Sequence, residues 1–293
     1  MDNRSEIREF LASRRAKLTP QQVGLPSYGG KRRVSGPRRE EVALLAGVSP
    51  DYYIRLERGD LNQASEGVLE ALARALQLSD SERMHLYDLA RAAASRPKSR
   101  RRTAALSVRP SLQRVLDAMP AAPAWVRNGR SDFVAVNRMG RALYAPVFDR
   151  PVGPANTARF AFLDRRAVAF YRDWEQTASD IVGVLRAEAG RHPYDRGLTD
   201  LVGELSTRSE EFRTRWAAHD VRLHHTGSKQ FEHPVVGRLT VSFDAMELPA
   251  DPGLTLTVYA AEPGSATQEK LAVLASWAAP HAGVQATPAH DRS

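Results

Sequence analysis

Residues 38–59, RREEVALLAGVSPDYYIRLERG, read as two short helices joined by a tight turn, the helix-turn-helix pattern. Val42, Ala43, Leu45 and Ala46 supply an inward apolar face for the first helix, with Ala43 small where a second helix crosses close by. Gly47 ends that helix, since glycine enters the left-handed region without steric cost. Ser49-Pro50-Asp51 then open the next helix: Ser49 as N-cap, Pro50 at the first position where no N–H is needed, and Asp51 beside the positive end of the dipole. Val48, Tyr53 and Leu56 point inward. Ser49, Pro50, Asp51, Tyr52, Ile54 and Arg55 remain on the outer ridge, the part that enters a major groove in this motif. An ordinary helical hairpin of a core would share the spacing, but not the charge beside it.

Lys31, Arg32, Arg33, Arg38 and Arg39 cluster just before and at the start of the first helix, where such a motif runs along the phosphate backbone. A solvated basic loop is the competing reading. The wider distribution favours phosphate. Residues 1–102 carry 20 Lys and Arg against 13 Asp and Glu, a balance of +7, whereas residues 103–293 carry 22 against 21, or +1. A polyanion-binding head on a near-neutral body directs the phosphate field to one surface. At 293 residues, 42% hydrophobic and 26% charged, the chain has the composition of a globular protein with two cores. The first 18 residues alternate charge with apolar groups, which argues against a leader or a membrane span, and the absence of cysteine fits the cytoplasm.

Ile7, Phe10, Leu11 and Leu18 predict a helix before a Pro/Gly-rich basic loop at 19–37. After the motif, Leu69, Leu72, Ala73 and Leu76 form one stripe. Ser79-x-x-Glu82 is a capping box ahead of Leu86, Leu89, Ala90 and Ala93. The expected organisation is an all-α, five-helix domain over 1–94, a basic linker over 95–109, an α+β domain over 110–279 and a disordered tail over 280–293. Within the second domain, Leu112 to Met119 predict a short helix, and residues 124–137 a hairpin turning at Asn128-Gly129. Residues 166–189 predict one long helix through Phe170, Tyr171, Trp174, Ile181 and Leu185, broken at Gly190 and Pro193, with shorter helices over 196–217. VRLHHTG (221–227), the alternating run 229–248 and GLTLTVYAAE (253–262) predict an antiparallel sheet, and Ser265-x-x-Gln268 caps a last helix through Leu271, Leu274 and Trp277.

Several stretches together resemble one bacterial family. The VGLP loop and the basic run after it, RREEVALLAGVSPDYYIRLERG, and VLEALARALQLSDSERMHLYDLA are similar to regulators of the XRE helix-turn-helix type. FVAVNRMGRALYAP, HPVVG and VYAAEPGS are similar to an MmyB-like sensor domain, so the likeness spans roughly residues 5–278. It implies a PAS-like fold, an antiparallel sheet covered by helices, with a cavity for a fatty-acid-like or other apolar small molecule, and a role in transcription.

Aromatic residues concentrate in the first part of the second domain, and Trp125, Phe133, Tyr144, Phe170, Tyr171 and Trp174 are the candidate ligand-lining residues, alongside Phe148, Phe160, Phe162, Phe212 and Trp216. Plain core packing is the alternative for each. Arg138, Arg159 and Arg172 are candidate carboxylate anchors. His219, His224, His225 and His233 fall within fifteen residues, which opens an alternative in which this segment senses a metal or the domain serves only dimerisation. Adjacent His224 and His225 would face opposite ways on a strand, which weakens the metal reading. No G-x-S-x-G, G-x-G-x-x-G, P-loop or H-E-x-x-H occurs, so no enzyme is expected, and no cofactor beyond a fatty-acid-like effector. The expected partners are duplex DNA with an inverted-repeat operator, a small apolar ligand and a second copy of the chain in a homodimer.

Overall fold

A computed structural model describes residues 2–24, 36–94, 108–149, 153–221 and 225–281. Two compact units emerge from the packing: Met1–Arg102 with Ser179–Leu223, and Thr103–Ala178 with His224–Ser293. The lysine and arginines at 31–33, most of the linker at 95–109 and nearly all of the tail lie outside the described residues.

The first unit opens with α1 (Asn3–Lys17), α2 (Arg39–Leu45), α3 (Pro50–Glu57), α4 (Glu66–Ala75) and α5 (Asp80–Ala94). The caps are the ones the sequence dictates. Ser49 Oγ accepts from Tyr52 N at 3.2 Å, while Ser79 and Glu82 exchange bonds at 2.8 and 3.4 Å. Gly47 sits at φ +65°, as the turn requires. Ile7, Phe10, Leu11, Val42, Ala43, Tyr53, Leu56, Leu72, Leu86 and Leu89 make one core, joined by Ala187 and Val221 from the later segment. Leu45 departs from its expected inward position: it is 39% exposed, because α2 ends there and Ala46 closes the helix against the core instead.

The second unit begins with α6 (Pro110–Asp117), β1 (Ala124–Asn128), β2 (Phe133–Val136), α7 (Arg138–Leu143), α8 (Ala145–Phe148), α9 (Thr157–Leu163) and α10 (Arg166–Phe170). The division between units falls inside α11 (Trp174–Arg191), and α12 (Arg196–Arg208) and α13 (Glu210–Ala217) belong to the first. β3 (Thr226–His233), β4 (Gly237–Glu247), β5 (Leu254–Ala260) and α14 (Ala266–His281) complete the second. Its five strands form an antiparallel sheet in the order β2-β1-β5-β4-β3. Side chains alternate across the sheet. Ala124, Val126, Leu254 and Leu256 meet Leu112 and Leu116 of α6 on one face, leaving Trp125 and Tyr259 on the other.

Asn137 ties this unit together. Its Oδ1 accepts from Ala124 N and Gly140 N at 3.0 and 2.7 Å, and its Nδ2 donates to the carbonyls of Leu116, Met119 and Ala122. One side chain thus caps α7, fixes the start of β1 and closes α6.

Three further expectations need correction. The single helix over 166–189 is two: Tyr171 bridges to Phe231 as backbone, and Arg172 N donates to Gln230 O at 3.2 Å, so the chain leaves the helix there to pair along β3. Helical periodicity cannot reveal such a strand-edge contact. The second of the two then runs on through Gly190 and ends at Arg191. Phe212 and Trp216 stack on each other at 5.5 Å in the first unit, so they are not part of the second unit's aromatic set.

Candidate functional site

The outer ridge of α3 is built as its sequence suggests. Ser49, Pro50, Asp51 and Arg55 are exposed, and Tyr52 and Ile54 are half-buried. The Arg55 guanidinium stands 4.9 Å over the Tyr52 ring, with Nε 3.7 Å from Asp60 Oδ2. A stacked guanidinium has already lost much of its rotamer freedom, so its planar donors are presented at little further entropic cost.

Behind the ridge lies a buried carboxylate that sequence reasoning missed. Glu57, 2% exposed, accepts from Arg15 Nε at 2.7 Å and from Arg39 Nε. This pairing raises the Arg39 pKa and ties α1, α2 and α3 together, while half of the Arg39 side chain stays exposed. Arg39 therefore has a structural role as well as a position suited to phosphate. Arg38 is exposed next to it, with its backbone N–H held by Glu41 at 2.6 Å. Arg32 and Arg33 fall outside the described residues.

In the second unit, five of the six candidate lining residues meet. Tyr144 is the hub, with its ring 5.6 Å from Trp125, 5.3 Å from Phe133, 6.1 Å from Phe170 and 5.6 Å from Phe231. Tyr171 joins through Phe170 at 5.0 Å and Phe231 at 5.8 Å. Trp174 pairs edge-to-face with Phe162 and donates its indole N–H to Ala161 O at 2.9 Å. Phe231 and Tyr259 were missed. The alternating strand pattern was their only signal, since it puts Tyr259 on the face opposite Val258. Burial pushes the hydroxyl pKa values of Tyr144 and Tyr171 well up, and that of Tyr259 to about 12.

The model of the family described as "MmyB-like transcription regulator ligand binding domain" matches residues 108–274, and that of "Helix-turn-helix domain" matches residues 6–86. The chain belongs to the MmyB-like transcription regulators. No curated protein matches it. The two halves of this MmyB-like regulator are therefore a DNA-binding helix-turn-helix domain and a ligand-binding domain, and their combination is that of a ligand-modulated transcription regulator.

The polar groups weighed as anchors and ligands have definite places. Arg172 pairs with Glu232 at 3.2 Å near the surface, Arg138 is exposed, and Arg159 is half-buried and partnered. His233 accepts from Val235 N through Nδ1 at 3.2 Å and faces the Ala142 carbonyl through Nε2 at 3.0 Å, which fixes the tautomer with its proton on Nε2. Burial lowers its pKa, so it stays neutral and ties β3 to α7. His219 belongs to the first unit and His225 to the second, while His224 is outside the described residues. Among the described residues no group of three His, Asp or Glu side chains is placed to hold a metal ion, and no helix is long and apolar enough to cross a membrane.

Proposed function

We propose that this regulator acts in the cytoplasm as a homodimer that sets two copies of α3 into successive major grooves of an inverted-repeat operator. The half-sites then lie about 34 Å apart, or a multiple of that. The observation that carries this reading is the preset Arg55: an exposed, aromatic-backed guanidinium on a proline-started helix, suited to bidentate contact with a guanine. Asp51, one turn earlier, accepts from a cytosine amine, and Arg38 and Arg39, with Arg32 and Arg33 of the preceding loop, neutralise phosphates.

The effector in this reading is a small, mostly apolar molecule, fatty-acid-like in bulk, held among Trp125, Phe133, Tyr144, Phe170 and Tyr171. What supports it is the continuity of these rings inside a domain of ligand-binding type. The effector alters operator affinity only by the difference in its own affinity for the two DNA-binding states. The test joins native mass spectrometry of gently purified protein to a gel shift on its own promoter fragment. A dimer carrying a small apolar molecule, and a shift that weakens with salt and changes when that molecule is added, is the expected result. A monomer that shifts no fragment of its promoter at low salt overturns the reading.

A further inference from the structure

Where Trp125, Tyr144 and Tyr259 meet within the ring cluster of the ligand-binding unit, three polar hydrogens have too few acceptors. The Tyr144 and Tyr259 hydroxyl oxygens stand 2.6 Å apart, with 1% and 2% of their residues exposed. A pair of hydroxyls uses one of its two hydrogens, whichever side donates, so one hydrogen is always left over. The Trp125 indole, a donor only, adds a third. Its nitrogen is buried and makes no hydrogen bond, although it lies close enough to Tyr259 to oppose the rise in that hydroxyl's pKa caused by burial. Were the indole turned onto Tyr259, one hydroxyl hydrogen would still lack an acceptor among the described residues.

Apart from the Tyr171 hydroxyl, which lies near enough to act electrostatically on Tyr144 and Tyr259 but makes no hydrogen bond with either, the rings packed here present carbon. The Trp125 ring lies 4.1 Å from Phe133 and 5.6 Å from Tyr144, and Phe231 closes on Tyr144 and Tyr259 at 5.6 and 6.0 Å. The nearby cations are turned to other work. The Lys229 ammonium sits over the faces of Tyr171 and Phe243, at 5.7 and 5.9 Å, and Arg127, whose charge reaches Tyr259, is itself partnered. A carboxylate placed here would give up its hydration for neutral donors alone, which is a poor exchange for a full charge. A carbonyl oxygen loses far less water and accepts from two donors at once.

We propose that Trp125, Tyr144 and Tyr259 form the polar anchor of the effector site, and that they select an uncharged acceptor oxygen, a ketone, ester or lactone carbonyl, on an apolar body. This rests on the reading above that the effector occupies this cluster. The oxygen accepts from the indole N–H and from whichever hydroxyl hydrogen the tyrosine pair leaves spare. The surrounding rings hold the apolar remainder by contact alone, so the anchor, and not the hydrophobic wall, sets which functional group is admitted.

Three probes of nearly equal length separate the possibilities: 2-undecanone, undecane and undecanoate, titrated at pH 8 into the full chain labelled with 15N at its tryptophans. The ketone is expected to bind about fivefold to tenfold more tightly than the alkane, the worth of one net hydrogen bond, and more tightly than the carboxylate. One indole proton moves downfield with the ketone and not with the alkane. Trp125→Phe abolishes that signal and the ketone's advantage while undecane still binds. The double variant Tyr144→Phe, Tyr259→Phe, which keeps every ring, lowers the same advantage and serves if Trp125→Phe does not fold. Equal binding of ketone and alkane, or tightest binding of undecanoate, overturns the anchor and leaves the effector site standing. If none of the three binds, the effector reading falls with it.

Discussion

Lowering the pH from 7.5 to 5.0 will loosen the helix-turn-helix unit, and His85 is the group that responds. Its ring is fully buried in α5, edge-on to Phe10 at 5.0 Å, and neither nitrogen has a hydrogen-bond partner. Gly190 of α11 packs so closely that a Cβ there would lie 2.5 Å from the ring, so the imidazole has no room to turn away. Burial pulls its pKa down to about 3 from the ordinary 6.5; the Glu6 carboxylate works against that, and Arg186, His219 and Arg14 reinforce it. The unfolded chain therefore takes up a proton as pH falls through 6.5, and the folded unit only near 3. Stability contributed by the neutral ring is complete above about pH 6.5 and drains away as pH falls through the window below it.

Between pH 7.5 and 5.0 this one site amounts to about 2 kcal/mol, from a full proton difference at about 1.4 kcal/mol per pH unit over the part of the range below 6.5. Glu6 adds little there. Burial alone would raise its pKa, but the His219 hydrogen bond and the Arg186 charge hold it at about 2, so its share is lost only as pH drops from the ordinary 4.5 towards 2. Hydrogen exchange of peptides from α1 and α5 in the full chain, corrected for intrinsic rates, reads the opening free energy of this unit at both pH values. His85→Leu fills the site with carbon and should remove most of the pH-dependent loss. A variant that keeps the whole of it would refute the assignment to His85.

Other expectations concern DNA and packing. Arg55→Ala should relax preference at one base pair, at about 1 to 3 kcal/mol on the best operator, whereas Arg38→Ala should weaken every sequence alike and reduce the salt slope by about one; binding titrations on a matched and a mutated operator distinguish them. Glu57→Gln leaves Arg15 and Arg39 without their shared counter-ion and should cost the DNA-binding unit about 2 to 3 kcal/mol, visible as faster exchange in α2 and α3. Asn137→Ala takes the side-chain partner from two N–H groups and from the Met119 and Ala122 carbonyls at the junction of α6, β1 and α7, while Leu116 O keeps its bond from Met119 N. It should destabilise the ligand-binding unit by about 3 kcal/mol, read as a lower urea midpoint for the sheet peptides.

The order of helices up to residue 94, the turn at Gly47, the Ser49 and Ser79 caps and the α3 ridge were all written in the sequence, because each depends on neighbours within about four residues. The sheet was legible too, through alternation and turn residues, though its strand order was not. Other features had no local signal. Arg186, fully buried, pairs with Glu6, makes a 2.8 Å contact with His219 Nδ1 and lies 4.1 Å over the Trp216 ring, within a unit assembled from two separate stretches of the chain. Its only trace in the sequence is a charge next to Leu185 on a helix face otherwise apolar. Likewise Tyr171 leaves its helix because Phe231 offers a backbone partner sixty residues later, and Tyr144, at the end of α7, finds Tyr259 of β5 more than a hundred residues on. Sequence determined what short-range sterics and capping bonds decide. Which distant charges and rings met was left to the packed chain, since a buried group takes its partner from whichever element comes to lie against it.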